Sequence, residues 1–71
     1  MDANKAKAIR YFLGETQAAF AKRIGVTAST ICMIEKKQRG ISDALRAKLV
    51  RIEIELPSDF TPFYMKFRET T

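Results

Sequence analysis

The residue that most constrains this chain is Gly25, because it separates two short segments that each carry helical spacing, AAFAKRI before it and ASTICMIEK after it. Phe20, Ile24, Val26, Ile31 and Ile34 fall where two helices joined by a tight turn would bury one shared face. Ala21 is small where those helices would cross. A glycine at the junction suits a turn that needs positive φ, a region that glycine enters without steric cost. The stretch from Gln17 to Lys36 therefore reads as a helix-turn-helix, and the remaining residues read as its support.

Length and composition set the bounds. A chain of 71 residues is one domain, and at this size roughly 60% of the unfolded surface can be buried. With 46% hydrophobic and 30% charged residues the composition is that of a globular protein. No apolar run reaches the ~18 residues of a membrane span, and MDANKAKAIR lacks the apolar region of a secretory signal. Cys32 is the single cysteine, so an internal disulfide and a cysteine-rich zinc site are both excluded. A reduced, cytoplasmic compartment fits best. Histidine is absent, which removes the commonest general base and metal ligand. No catalytic constellation can be assembled, and we expect no enzyme, no cofactor and no small-molecule ligand. The net charge of +5 and the sequence pI of about 9.7 favour a polyanionic partner, nucleic acid before an acidic membrane. Basic charge also aids solubility, so charge selects DNA only together with the helix-turn-helix pattern.

In chain order, Asp2–Leu13 reads as the first helix, with Ala6, Ile9 and Leu13 on one side. Lys5, Lys7 and Arg10 lie on the other side, a solvated face with weak phosphate contacts as the alternative. Asp2 or Asn4 is the candidate cap and Gly14 the stop. Thr16 caps the second helix, which Gly25 closes. Thr27 caps the third, expected over Ala28–Lys37 with Ile31 and Ile34 inward. Its outward side, Ala28, Ser29, Cys32, Met33 and Lys36, is small and almost uncharged until its carboxyl end. A solvated helix would carry Glu and Lys there. Small hydroxyls, Ala and Met suit close approach to base edges and thymine methyls. The basic turn KKQRG that follows places cations favourably at a helix end and also serves as a phosphate clamp.

The last third is ambiguous. Ser42 caps a fourth helix in which Leu45, Leu49, Ile52 and Leu56 form a helical stripe, yet Val50, Ile52, Ile54 and Leu56 also alternate with Arg51, Glu53 and Glu55 as in a strand. FYMKFR alternates too, so a carboxyl-terminal β-hairpin is the alternative. The stripe begins before the alternation does, which favours a helix to about Glu55 stopped by Pro57. A short fifth helix then starts with Thr61 as cap and Pro62 at its first position.

The segment TQAAFAKRIGVTASTICMIEKKQRG resembles the TQxxLAxxxGVxxxxIxxIExGxR pattern of phage repressor and Cro-type (lambda-repressor-like) helix-turn-helix proteins. The likeness covers Thr16–Gly40 closely and the flanking segments loosely. It departs at Phe20, where Leu is usual, and in KKQRG, which is longer and more basic than the usual turn. The resemblance implies an all-α domain of four or five helices that binds double-stranded DNA as a homodimer on inverted repeats. It also implies a transcriptional regulator of phage or mobile-element origin. Carried over by position, Gln17 anchors a phosphate together with its helix amino end, Ala28 and Ser29 approach base edges, and Met33 makes an apolar base contact. Thr27 and Thr30 become phosphate or base contacts, and Lys36 and Lys37 backbone-phosphate contacts. Two other readings use the same residues differently. One is an architectural role, as in excisionases or recombination directionality factors. The other is an antitoxin-type interaction module whose surface is Phe60, Phe63, Tyr64 and Phe67.

Overall fold

Helices carry most of the described residues. The computed structural model describes residues 1–70, and among them are α1 (Ala3–Phe12), α2 (Gln17–Ile24), α3 (Ala28–Glu35), α4 (Asp43–Glu55) and α5 (Phe60–Thr70), with no strand. Four of the five begin at a side-chain cap. The Asp2 carboxylate accepts from the Lys5 amide, and the hydroxyls of Thr16, Thr27 and Ser42 accept from the amides of Ala19, Thr30 and Leu45. Each cap satisfies one of the orphan amides that a helix start leaves open.

The stops are equally local. Gly14 has φ +69 and Gly25 φ +75, so both glycines occupy the left-handed region at a helix end. At Gly25 the Val26 amide reaches back to the Ala21 carbonyl at 2.9 Å, and Lys48 donates to the Ile24 carbonyl at 3.2 Å. The turn between α2 and α3 is thereby held from α4 as well as from within. α3 ends at Glu35, two residues before the end that spacing suggested. The chain turns there because Lys37 takes φ +61. The amides of Lys37 and Gln38 then donate back to the Ile34 and Met33 carbonyls, at 3.0 and 2.9 Å.

The strand alternative for the carboxyl third is overturned: residues 50–55 complete α4 and residues 63–68 lie inside α5. Burial gives the reason. A strand would have placed Val50 and Ile54 on one face with Ile52 and Leu56. Instead Leu45 and Leu49 are buried and Ile52 and Leu56 are partly buried against the core, while Val50 is 37% and Ile54 77% exposed. α5 starts one residue before Thr61, because the turn amide of Phe60 bonds the Pro57 carbonyl at 3.0 Å and the Phe63 amide bonds Asp59 at 3.2 Å. Pro62 thus occupies the third helical position, still within the first turn where no amide donor is needed.

Ile9 from α1, Phe20 from α2 and Leu49 from α4 are the largest fully buried side chains, and Ile31 and Ile34 of α3 close over them. α2 packs chiefly on α3, and α1 chiefly on α5. The α1–α5 contact is aromatic: Phe12 meets Phe60 and Phe63 edge-on with centroids 5.3 Å apart, and Tyr11 meets Phe67 at the same distance. Phe60 and Phe67 are buried and Phe63 and Tyr64 partly buried. The aromatic residues of the carboxyl end therefore complete the core, which removes Phe60 and Phe67 from the surface that an antitoxin-type module would need. No helix among the described residues is long and apolar enough to cross a membrane.

Candidate nucleic-acid interface

α3 owes its position to both of its neighbours. Its inner side, Ile31 and Ile34, is buried against the core, and its outer side begins with Ala28 and Ser29, both exposed. The Ser29 hydroxyl has no hydrogen-bond partner among the described residues. Met33 and Cys32, farther along, are half-buried, so Met33 offers only an edge of its side chain. Thr27 and Thr30 are occupied with each other: the Thr27 hydroxyl accepts from the Thr30 amide at 3.1 Å, and the two hydroxyls lie 3.0 Å apart. Thr27 is exposed and Thr30 half-buried. One of the paired hydroxyls must donate to the other, and the remaining proton is free for a further acceptor.

Gln17, expected at a phosphate, sits half-buried at the first position of α2 and donates through Nε2 to Glu35 at 3.1 Å. Its second Nε2–H remains a donor, and its backbone amide and that of Ala18 are the first-turn donors that the Thr16 cap leaves over. Glu35 is also held from the other side. Arg10 donates through Nε and Nη2 to the two carboxylate oxygens at 2.6 and 2.9 Å, and through Nη1 to the Glu15 carbonyl at 2.9 Å. Side-chain exposure is only 11% for Arg10 and 8% for Glu35. This fork-on-fork pair raises the Arg10 guanidinium further above its ordinary range, with the hydrogen bond to Glu35 as the main cause.

Arg10 is thus neither on a solvated face nor at a phosphate, which corrects the sequence expectation. It ties the last turn of α1 to Glu35, the last residue of α3, and to the Glu15 carbonyl of the α1–α2 connection. A signal for this was present: Glu35 is the only acidic residue between Glu15 and Asp43. Lys5 is likewise engaged, with Glu53 at 2.8 Å, and the Tyr64 ring lies 5.3 Å from its ammonium. Arg23 forks onto Glu15, whose carboxyl is held below its ordinary value chiefly by that hydrogen bond.

With these cations accounted for, Lys36, Lys37 and Arg39 remain exposed beyond the end of α3, with no ion-pair partner among the described residues. Arg39 also lines a recess shared with Thr27 and Thr30, which adds it to the residues singled out from sequence. Among the described residues Lys37 is the one non-glycine with left-handed φ. In the pattern that this segment resembles, glycine stands at that position and arginine at Arg39, so the turn departs in residue type but is not longer, which corrects the sequence expectation. Lys37→Gly is expected to raise unfolding stability by about 0.5–1 kcal/mol, since the side chain's strain is relieved and only part of the gain is returned as chain entropy. Urea titration of both proteins measures it, and an unchanged or lower midpoint would contradict the strain.

The arrangement has the parts needed to hold a polyanion: an exposed uncharged helix start, amide donors at the foot of α2, and free cations past α3. Comparison of the chain with protein families, with curated proteins and with solved structures finds no match.

Proposed function

We infer that this protein is a sequence-specific, double-stranded DNA-binding regulator of the phage repressor and Cro type, with α2 and α3 as its helix-turn-helix. In this reading α3 enters the major groove with Ala28, Ser29 and Met33 toward base edges. Gln17 and the amides at the start of α2 bind one phosphate, Thr27 and Thr30 contact the backbone or bases beside it, and Lys36, Lys37 and Arg39 bind others. The observation that carries the reading is the contrast along α3. Its exposed start is small and uncharged, its single carboxylate is withdrawn into the Arg10 pair, and unpaired cations follow directly after it. A carboxylate left free at Glu35 would repel phosphate, and the ion pair neutralises it without removing the residue.

The test is selection of bound sequences from random double-stranded DNA, with variants scored on the selected site. Ser29→Ala and Met33→Ala are expected to change the preferred bases at one or two positions. Lys37→Ala is expected to weaken binding to all sequences alike and to lower the salt slope by about 1. Equal affinity for selected and random duplexes at about 0.15 M salt would overturn the reading.

A further inference from the structure

α3 carries no Arg, Lys, Asn or Gln between Ala28 and Glu35. Those are the side chains that read a base by paired hydrogen bonds, Arg or Lys on guanine and Asn or Gln on adenine. The single carboxylate of the helix, Glu35, could accept from the amino group of cytosine, but Arg10 holds both of its oxygens. The long polar side chains nearest to α3 lie off its ends. Gln17 donates to Glu35 at 3.1 Å, and Gln38 and Arg39 follow the turn made at Lys37. The hydroxyls of Thr27 and Thr30 hold each other at 3.0 Å. What α3 itself presents is the methyl of Ala28, the unpartnered hydroxyl of Ser29 and, one turn on, an edge of Met33.

Two apolar groups and one hydroxyl sort the pyrimidines in a defined way. At the major-groove edge thymine presents an acceptor, O4, and a C5 methyl, whereas cytosine presents a donor, the N4 amino group, and no methyl. A hydroxyl donates to O4 or accepts from N4 equally well, so Ser29 serves either base. The choice therefore falls on the methyl, which Ala28 and Met33 remove from water and a bare C5–H does not supply.

We propose that α3 recognises the C5 methyl group of a pyrimidine and not the base that bears it, so that 5-methylcytosine is bound as thymine is. The substrate class is duplex DNA with 5-methylpyrimidines at the positions facing α3. Methylation of cytosine at such a position turns a disfavoured site into a favoured one. The inference rests on the DNA-binding reading and adds to it the chemical group that is read. Burial of one methyl carbon corresponds to about a 4-fold change in affinity at each position.

Competition binding of the wild-type chain at about 0.15 M salt, on the duplex found by selection, tests it. Each thymine·adenine pair of that duplex is replaced in turn by uracil·adenine, cytosine·guanine and 5-methylcytosine·guanine. Every methyl is thereby compared with its absence against an unchanged partner base. At the positions facing α3, the steps from uracil to thymine and from cytosine to 5-methylcytosine should each gain about 4-fold in affinity. Thymine and 5-methylcytosine should differ there by less than ~3-fold. In the double variant Ala28→Gly/Met33→Ser both gains are expected to fall below ~1.5-fold, with circular dichroism confirming its helix content. The duplex comparison uses the unaltered chain and does not depend on how the variant folds. Gains below ~1.5-fold on a duplex still preferred over random DNA would overturn the proposal and leave the DNA-binding reading standing. A gain for thymine without one for 5-methylcytosine, or gains undiminished in the folded double variant, would overturn it equally. A chain that prefers no duplex over random DNA refutes the DNA-binding reading itself, and the proposal falls with it.

Discussion

Arg10→Met is expected to cost about 3 kcal/mol of folding stability and to loosen α3 at its carboxyl end. The substitution leaves Glu35, 8% exposed, with only the single 3.1 Å hydrogen bond from Gln17. Removing one partner of a buried pair costs roughly 3–5 kcal/mol, because the remaining charge keeps its desolvation penalty without compensation. The lower figure applies here since the pair sits at the margin of the core. Arg10 also releases the Glu15 carbonyl, which frees the connection between α1 and α2. Urea denaturation of Arg10→Met, Glu35→Leu and the double variant separates the contributions. The double variant is expected to recover most of the loss, as apolar replacements of buried ion pairs commonly do. If the proposed DNA-binding function holds, it should also bind DNA less well, because Gln17 then lacks the carboxylate that holds it. A single Arg10→Met variant as stable as wild type would show that the pair is not energetically coupled to the fold.

The largest effect is expected at Phe20. This side chain is 1% exposed and stands on the face of α2 that packs against α3. Truncation to alanine removes the transfer energy of the ring and leaves a cavity, together about 3–5 kcal/mol. A domain of this size carries roughly 4–10 kcal/mol in total, so Phe20→Ala is expected to unfold largely at 37 °C. Phe20→Leu, the residue of the pattern that this segment resembles, should cost only about 1–1.5 kcal/mol because most of the volume stays filled. Thermal melts followed by circular dichroism measure both. Equal losses for alanine and leucine would mean that ring shape, not volume, holds the α2–α3 contact.

These two residues differ in how far they could be foreseen. Phe20 lies at helical spacing from Ile24 within a segment whose caps are also readable, so its burial follows from the pattern alone. Arg10 sits among lysines on what spacing marks as the polar side of its helix, and its partner lies 25 residues away. Periodicity reports which side of a helix is apolar; it does not report which polar residue will meet another from a different helix. The same limit applies to Lys5 and Glu53, which meet only because α1 and α4 are brought together.

What the amino-acid order determined unaided is the α2–turn–α3 unit and the helix starts around it. Thr16, Gly25, Thr27 and Ser42 act on amides and dihedral angles within three residues of themselves, so their effect is decided before any helix packs. What packing alone decided is the pairing of the cations and which side chains of the carboxyl third are covered. In residues 50–56 the helical stripe competes with a strand-like alternation; the stripe's earlier start already favours helix to Glu55, where α4 ends, and burial of Leu45 and Leu49 fixes that choice. That same resolution leaves Val50 and Ile54 outside, and it places Phe60 and Phe67 under α1. Burial is a property of the assembled helices, and no single segment contains it.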